Sequence, residues 1–270
     1  MSAMDPEQLT STAGLREPTF RAAIRALALE KGSRGLDVGC GPGMQCLLLA
    51  DEVGPAGHVT GLDPKAQFLK YGNEIVEGAG YSRRIAFKEG SAQSIPFADD
   101  TYDWIWSADC VGYGPWETMP MLKEMKRVTK PGGKIAILAW TSERLLPGYP
   151  LLEAKLSATS AGLLPFSIGM DPSRHFPRAL GLLRELGLKE LRARAFAGCA
   201  HAPLSEEDYL ALKALIAMRW PGAAETLSES DCAEYNRLCN QESPDFILDH
   251  PDYYAFFTYS MFYGTVSRMG

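Results

Sequence analysis

The sequence predicts an α/β fold: a mostly parallel sheet of about seven strands with helices on both faces and a helical cap inserted late in the chain. Three observations predict it. Short apolar runs alternate with amphipathic helical stretches from residue 34 to 140, three glycines follow the first apolar run at every second position, and a 12- to 14-residue aromatic run stands near the end. Alternation of this kind requires crossover connections, hence parallel pairing.

Taken in order, Leu15 to Lys31 contains "FRAAIRALALEK", whose Phe20, Ala23, Ile24 and Leu27 recur at helical spacing, so one N-terminal helix is expected there, ending at Gly32. "GLDVG" is a strand, "MQCLLLADEVG" a helix, "HVTGLD" a strand, "AQFLKYGNEIVEGAG" a helix and "IAFKEG" a third strand. "YDWIWS" continues the rhythm as a fourth strand. "MLKEMKRVTK" follows as a helix with Met121, Leu122, Met125 and Val128 on one face, stopped by Pro131 to Gly133. "KIAILAW" is a fifth strand.

From Thr141 to Pro172 glycine and proline break the periodicity ("LLPGYP", "AGLLPFSIGMDP"), which predicts an insertion or lid with little regular structure. "FPRALGLLRELGL" then reads as a helix, and "KELRARAF" alternates apolar and charged residues as an edge strand does. Ser205 is a helix N-cap, followed by an apolar face of Leu210, Leu212, Leu215 and Ile216, and a second helical stretch runs from Ser228 to Cys239. "YYAFFTYSMFYGTV" is the last strand, placed centrally in the sheet. The expected organisation is one domain over 1–270: an N-terminal helix (1–33), a cofactor-binding core (34–140), an insertion (141–172), and C-terminal sheet elements (173–270) whose helical cap spans about 205–252.

Composition narrows the function. A net charge of −6 lacks the basic excess that phosphate neutralisation demands, so a small molecule is expected as partner and nucleic acid is not. No apolar run reaches about 18 residues, so no membrane span is expected. "MSAMDPEQLTSTAG" lacks a basic start followed by an apolar stretch, which leads to an expectation of cytoplasmic residence. Cys40, Cys46, Cys110, Cys199, Cys232 and Cys239 form no CxxC pair, so they are expected to be reduced, with no metal held.

The chemistry centres on "LDVGCGPGMQC", Leu36 to Cys46. In a parallel sheet, ligands bind beyond the carboxyl ends of the strands, and glycines there allow the backbone to approach a ligand that a Cβ would hold off. Gly39, Gly41 and Gly43 give GxGxG. The dinucleotide pattern needs a glycine where Met44 stands, and no GxxxxGK[ST] is present, so a tight pyrophosphate cradle is not expected. Asp63 closes the second strand twenty residues after Gly43, where a carboxylate can accept the hydroxyls of a ribose. Taken alone, Asp63 does not separate NAD from other adenosine carriers. Asp37 either caps the next helix or serves the ligand.

"LDVGCGPG", "VTGLDP", "EGSAQSIPFADDTYDWIWS" and "LKEMKRVTKPGGKIAIL", in this order and at these intervals, resemble the successive motifs of the class I S-adenosylmethionine-dependent methyltransferases. The small-molecule branch similar to ubiquinone and menaquinone biosynthesis methyltransferases resembles them most. The likeness spans Arg34 to about Trp140, roughly 40% of the chain. It implies a Rossmann-like fold, S-adenosyl-L-methionine as cofactor, and transfer of a methyl group to a small-molecule acceptor by in-line displacement.

By matching position, Asp37 and the backbone of Gly39, Cys40, Gly41 and Gly43 resemble the segment that holds the methionine part of the cofactor. Asp63 resembles the ribose-binding acid, with Pro64 beside the adenine. Ser91, Ala92 and Gln93 resemble the turn that meets the adenine edge, although the family commonly has an acid where Ser91 stands. Ser107 resembles the position against the methionine part, and Asp109 and Cys110 point toward the transfer site. Tyr113 and Trp116 serve either as a wall for the acceptor or as loop packing, and His175 is a candidate base, as is His250. No triad is expected, since a sulfonium is already a good leaving group and positioning supplies much of the acceleration. The alternative function is a protein that binds the same cofactor without transferring its methyl. A nucleotide-base methyltransferase is disfavoured by "SADCVG" after the fourth strand and by the acidic charge.

Overall fold

The computed structural model describes residues 6–113, 117–163 and 171–267. Seven strands form one sheet: β1 (Arg34–Val38), β2 (His58–Asp63), β3 (Ile85–Glu89), β4 (Tyr102–Ala108), β5 (Thr129–Arg144), β6 (Lys189–His201) and β7 (Tyr254–Thr265), in the order β3-β2-β1-β4-β5-β7-β6. The first five strands pair in parallel, whereas β7 runs antiparallel to both its neighbours, β5 and β6. The sheet is therefore mixed, and β6 is its edge, as its alternating charges predict. The order reverses between β1 and β4, which opens the crevice beyond their carboxyl ends.

Each face of the sheet carries its own core, because side chains alternate across a strand. On one face Trp104, Trp106, Ala136, Leu138, Phe257 and Tyr259 pack under α2 (Ala13–Ala26), α3 (Met44–Val53) and α9 (Glu206–Arg219). On the other, Leu36, Ile105, Ile135 and Ile137 pack under α5 (Thr118–Val128) and α8 (Ala179–Glu185), the latter preceded by a short turn that buries Phe176. A further helix, α4 (Ala66–Gly78), links β2 to β3.

Several expectations are corrected. The N-terminus makes two helices, α1 (Pro6–Ser11) and α2, and the helical path ends at Leu27 because Ala28 turns left-handed at φ +48°. Helix α5 stops at Val128, before the Pro-Gly-Gly stretch; β5 begins at Thr129, pairs with Tyr102, and bulges through Lys130 to Gly133 before Lys134 rejoins opposite Trp104. The described part of the region 141–172 is more regular than its glycines and prolines imply: β5 runs on to Arg144, and two helices follow, α6 (Pro150–Ser157) and α7 (Ser160–Leu163), while 164–170 lie outside the described residues. Pro150 stands in the first turn of α6, where a missing N–H costs nothing. Ser205 caps α9 as expected, accepting from the backbone N–H of Asp208 at 3.0 Å, but Leu210 faces solvent and Ala211 takes its place in the buried row. Ser228 caps α10 (Glu229–Cys239) in the same way. Among the described residues no helix is long and apolar enough to cross a membrane.

Candidate cofactor and acceptor site

At the end of β1 the backbone N–H groups of Gly39 and Cys40 both donate to the carbonyl of Leu62 on β2, at 2.8 and 3.1 Å, which pins the glycine turn over the neighbouring strand. The three glycines hold positive φ and serve different ends. A Cβ on Gly39 would stand 2.3 Å from the Cys110 sulfur, and one on Gly43 would stand 2.4 Å from the Phe87 ring, so these two give way to packing. At Gly41, φ +53°, the nearest atom is Leu9 Cδ1 at 3.8 Å, so here the bare backbone faces open space under α1. Of the three glycines, Gly41 alone has its Cβ side open to a ligand.

Asp63 stands across from it. Its Oδ2 accepts the Gly41 N–H at 3.0 Å and its Oδ1 accepts the Lys65 N–H at 2.9 Å, so the carboxylate is fixed in orientation while each oxygen keeps a lone pair. Burial raises its pKa against those two bonds. Asp37, buried at the centre of the sheet, accepts only from the Cys46 thiol at 3.3 Å; burial pushes its carboxyl up to about 7. It does not cap α3, whose N-cap is left-handed Gly43. Cys40 is buried with its thiol directed at the Gly41 carbonyl.

Pro64 is exposed beside Asp63. Ser91, Ala92 and Gln93 form a tight turn after β3, in which the Ser91 hydroxyl accepts the Gln93 N–H at 3.2 Å; the preceding Gly90 N–H donates to the Asp63 carbonyl, which brings this turn beside the acid. Ser107 is spent structurally: its hydroxyl donates to the Val38 carbonyl at 2.8 Å and accepts the Val111 N–H at 3.2 Å, tying β4 to β1.

Beyond β4 lies a second group of polar side chains. Asp109 holds a left-handed backbone, φ +49°, and its carboxylate accepts the Trp140 N–H at 2.9 Å and the Tyr259 hydroxyl at 3.0 Å. Arg16, from α2, reaches the same place: its Nη1 donates to the Tyr259 oxygen at 3.4 Å and stands 3.8 Å from Asp109, and its Nη2 donates to the Leu9 carbonyl. Trp140 stacks on Phe257 at 4.8 Å, and its indole N–H donates to buried Glu143, which pairs with Arg219 of α9 at 2.7 Å. Tyr113 is half-buried among these charges, and burial together with Asp109 raises its phenol. Burial also pushes the Cys110 thiol, lodged against Gly39, up to about 12.

The structure thus gathers the glycine turn, Asp63 and the Ser91 turn on one side and Asp109, Cys110 and Tyr113 on the other. His175 is exposed between two short turns, next to buried Phe176, whose ring packs against Gly112 in the loop after β4. His250 likewise lies at the surface. Trp116 lies outside the described residues. Arg16, Glu143, Arg219 and Tyr259 escape sequence reasoning; the lone phenol in the phenylalanine-rich run "FFTYSMF" is the only local signal among them.

The chain is similar to known proteins. A family described as Methyltransferase domain matches residues 36–133. The demethylmenaquinone methyltransferase of Bacillus subtilis is 32% identical over 193 residues, covering 65% of this chain and 79% of that protein. The chain belongs to the class I S-adenosylmethionine-dependent methyltransferases. The demethylmenaquinone methyltransferase of Anoxybacillus flavithermus is 39% identical over 129 residues, 47% of this methyltransferase and 52% of that one, so the chain spans about half the length of such relatives. The crystal structure of the YcgJ protein from Bacillus subtilis superposes with a TM-score of 0.59 at 16% identity, over 94% of this chain and all of that one, a likeness of fold.

Proposed function

We propose that this methyltransferase acts on a small hydroxylated aromatic acceptor, by in-line displacement, as a single domain whose helices α6, α7, α9 and α10 shape the acceptor side. The observation that carries the reading is the Asp63 carboxylate clamped to the Gly41 N–H beside open backbone. That cradle fits a nucleoside without a phosphate: the acid offers lone pairs to a ribose diol, and bare main chain lies alongside.

In this reading Asp63 and Pro64 hold the ribose and adenine side, the Ser91 to Gln93 turn meets the adenine edge, and the Gly39 to Gly43 backbone holds the methionine part, with the buried Asp37 and Cys40 side chains packed behind it. Ser107 serves indirectly by fixing β4 against β1. When bound, S-adenosyl-L-methionine supplies a sulfonium-borne methyl group. The protein's contribution is to hold the acceptor's nucleophile in line with it and to exclude water, the part of catalysis that orientation supplies. Trp140 and Tyr113 give the aromatic wall for a flat acceptor, and Asp109 and Cys110 stand between that wall and the glycine turn. The names of the relatives point to a hydroquinone as the acceptor class. Six free cysteines fit a reducing cytoplasm.

Calorimetry with S-adenosylmethionine, followed by incubation of methyl-labelled cofactor with 1,4-dihydroxynaphthalene and with a metabolite extract, tests the proposal. Binding and label transfer are expected. Binding with no transfer to either would instead favour a cofactor-binding protein without turnover, and absence of binding would defeat both.

A further inference from the structure

We propose that Asp109 takes the proton from an ionisable hydroxyl, a phenol or an enol, on the methyl acceptor, and that Arg16 and Tyr259 position its carboxylate. This rests on the methyl-transfer reading above. Three features of the geometry single out Asp109. It is held left-handed at the carboxyl end of β4, where the chain leaves the sheet. Its N–H donates to the Leu138 carbonyl, and its two oxygens are fixed by Trp140 and Tyr259. Its side chain still keeps 26% of its exposure, so a small molecule can reach it.

Its electrostatic setting is that of a base rather than a neutralised ion pair. Arg16 directs Nη1 to the Tyr259 oxygen, 3.4 Å away, and leaves Asp109 at 3.8 Å, without the two-pronged contact that holds a carboxylate firmly ionised. Burial raises the Asp109 pKa, and Arg16 opposes that rise. The groups facing Asp109 are Arg16 from α2, Tyr259 from β7 and Tyr113 from the loop after β4, with Glu143 and Arg219 beyond Tyr113. A carboxylate raised toward neutrality narrows the gap to an acidic hydroxyl, and an adjacent guanidinium stabilises the oxygen anion left behind.

The balance is complete. The acceptor's O–H bond breaks and its proton passes to a free lone pair of the Asp109 carboxylate. The electron pair so released, at oxygen or through the ring at carbon, forms the bond to the methyl carbon as that carbon's bond to sulfur breaks and its electrons return to sulfur. Asp109 then sheds its proton to water.

The test measures the pH profile of 1,4-dihydroxynaphthalene methylation and, with the full chain and no cofactor, the affinity for the 4-nitrophenolate anion. Asp109→Asn, which mimics the protonated carboxyl, is expected to bind S-adenosylmethionine as wild type does, to bind the phenolate more tightly than wild type does, and to slow methylation by about 10²-fold or more with loss of the acid limb of the profile. Tyr259→Phe, which keeps the carboxylate and removes one bond to it, is expected to move the acid limb to higher pH. An acid limb that survives in Asp109→Asn, a phenolate affinity unchanged in that variant, or an unmoved limb in Tyr259→Phe overturns the assignment. Should Asp109→Asn not fold, the Tyr259→Phe result decides. Failure of the wild type to bind S-adenosylmethionine defeats the methyl-transfer reading instead, whatever the phenolate affinity shows.

Discussion

Arg16 and Tyr259 stand 243 positions apart in the chain and meet at 3.4 Å, guanidinium to phenol oxygen, beside the carboxylate of Asp109. The same guanidinium donates to the carbonyls of Leu9 and Thr12, and Leu9 lies over Gly41. One side chain therefore ties the cover of the glycine turn to the polar group beyond β4. The predictions below take each part of this assembly in turn.

Asp63 holds two backbone N–H groups and, in the proposed complex, the ribose. Asp63→Ala is expected to weaken S-adenosylmethionine binding by about 1–3 kcal/mol through loss of charge-assisted bonds. Calorimetry reads this directly, and an unchanged dissociation constant rules the role out.

The glycines separate by what surrounds them. Gly41→Ala meets open space, so its cost to stability is the left-handed backbone alone, about 1 kcal/mol, yet cofactor binding is expected to fail. Gly39→Ala and Gly43→Ala carry the same strain plus collisions with Cys110 and Phe87, worth a further ~1–3 kcal/mol each. Urea denaturation beside calorimetry distinguishes the two patterns; equal losses of stability at all three positions would refute it.

Asp37 makes stability pH-dependent in an unusual sense. Its carboxyl titrates at about 7 in the folded chain, against about 3.9 when unfolded. Below the lower value both states are protonated and nothing is lost. Between the two the native state alone keeps the proton, so stability declines as pH rises, by an amount on the order of a few kcal/mol, and levels off above about 7. Asp37→Asn is expected to remove that slope, seen as the difference between variant and wild-type urea titrations across this range.

Glu143 is buried and shared between Arg219 and the Trp140 indole. Arg219→Ala leaves a buried carboxylate without its cation and is expected to cost about 3–5 kcal/mol. The double variant Arg219→Met, Glu143→Leu should recover most of that loss. Thermal unfolding of both proteins checks it, and a double variant no more stable than the single would contradict the argument.

How much of this was legible in the chain follows from the range of the interactions. The parallel strands are short, buried apolar runs, and the glycine turn and Asp63 are local patterns, so both stand out in the sequence. The start of β5 does not, because a bulge through Lys130 to Gly133 uses the same residues as a turn. Helix α6 is eight residues long and opens with Pro150, a residue that starts a helix as readily as it ends one. Arg16, Glu143, Arg219 and Tyr259 acquire their meaning only when α2, β5, α9 and β7 converge, and no local pattern carries such a meeting.

The place of β7 bears on how the chain is made. This strand wedges between β5 and β6, pairing Thr265 with both Lys134 and Lys189. While a ribosome is still synthesising the preceding segments, β5 has no antiparallel neighbour, and the row from Ile135 to Leu138 presents an open, greasy edge. Contacts so distant in the chain are slow to form, so biosynthesis carries an interval of adhesion-prone intermediates that ends only when the last strand slots home, and chaperone dependence is the natural companion of such an ordering.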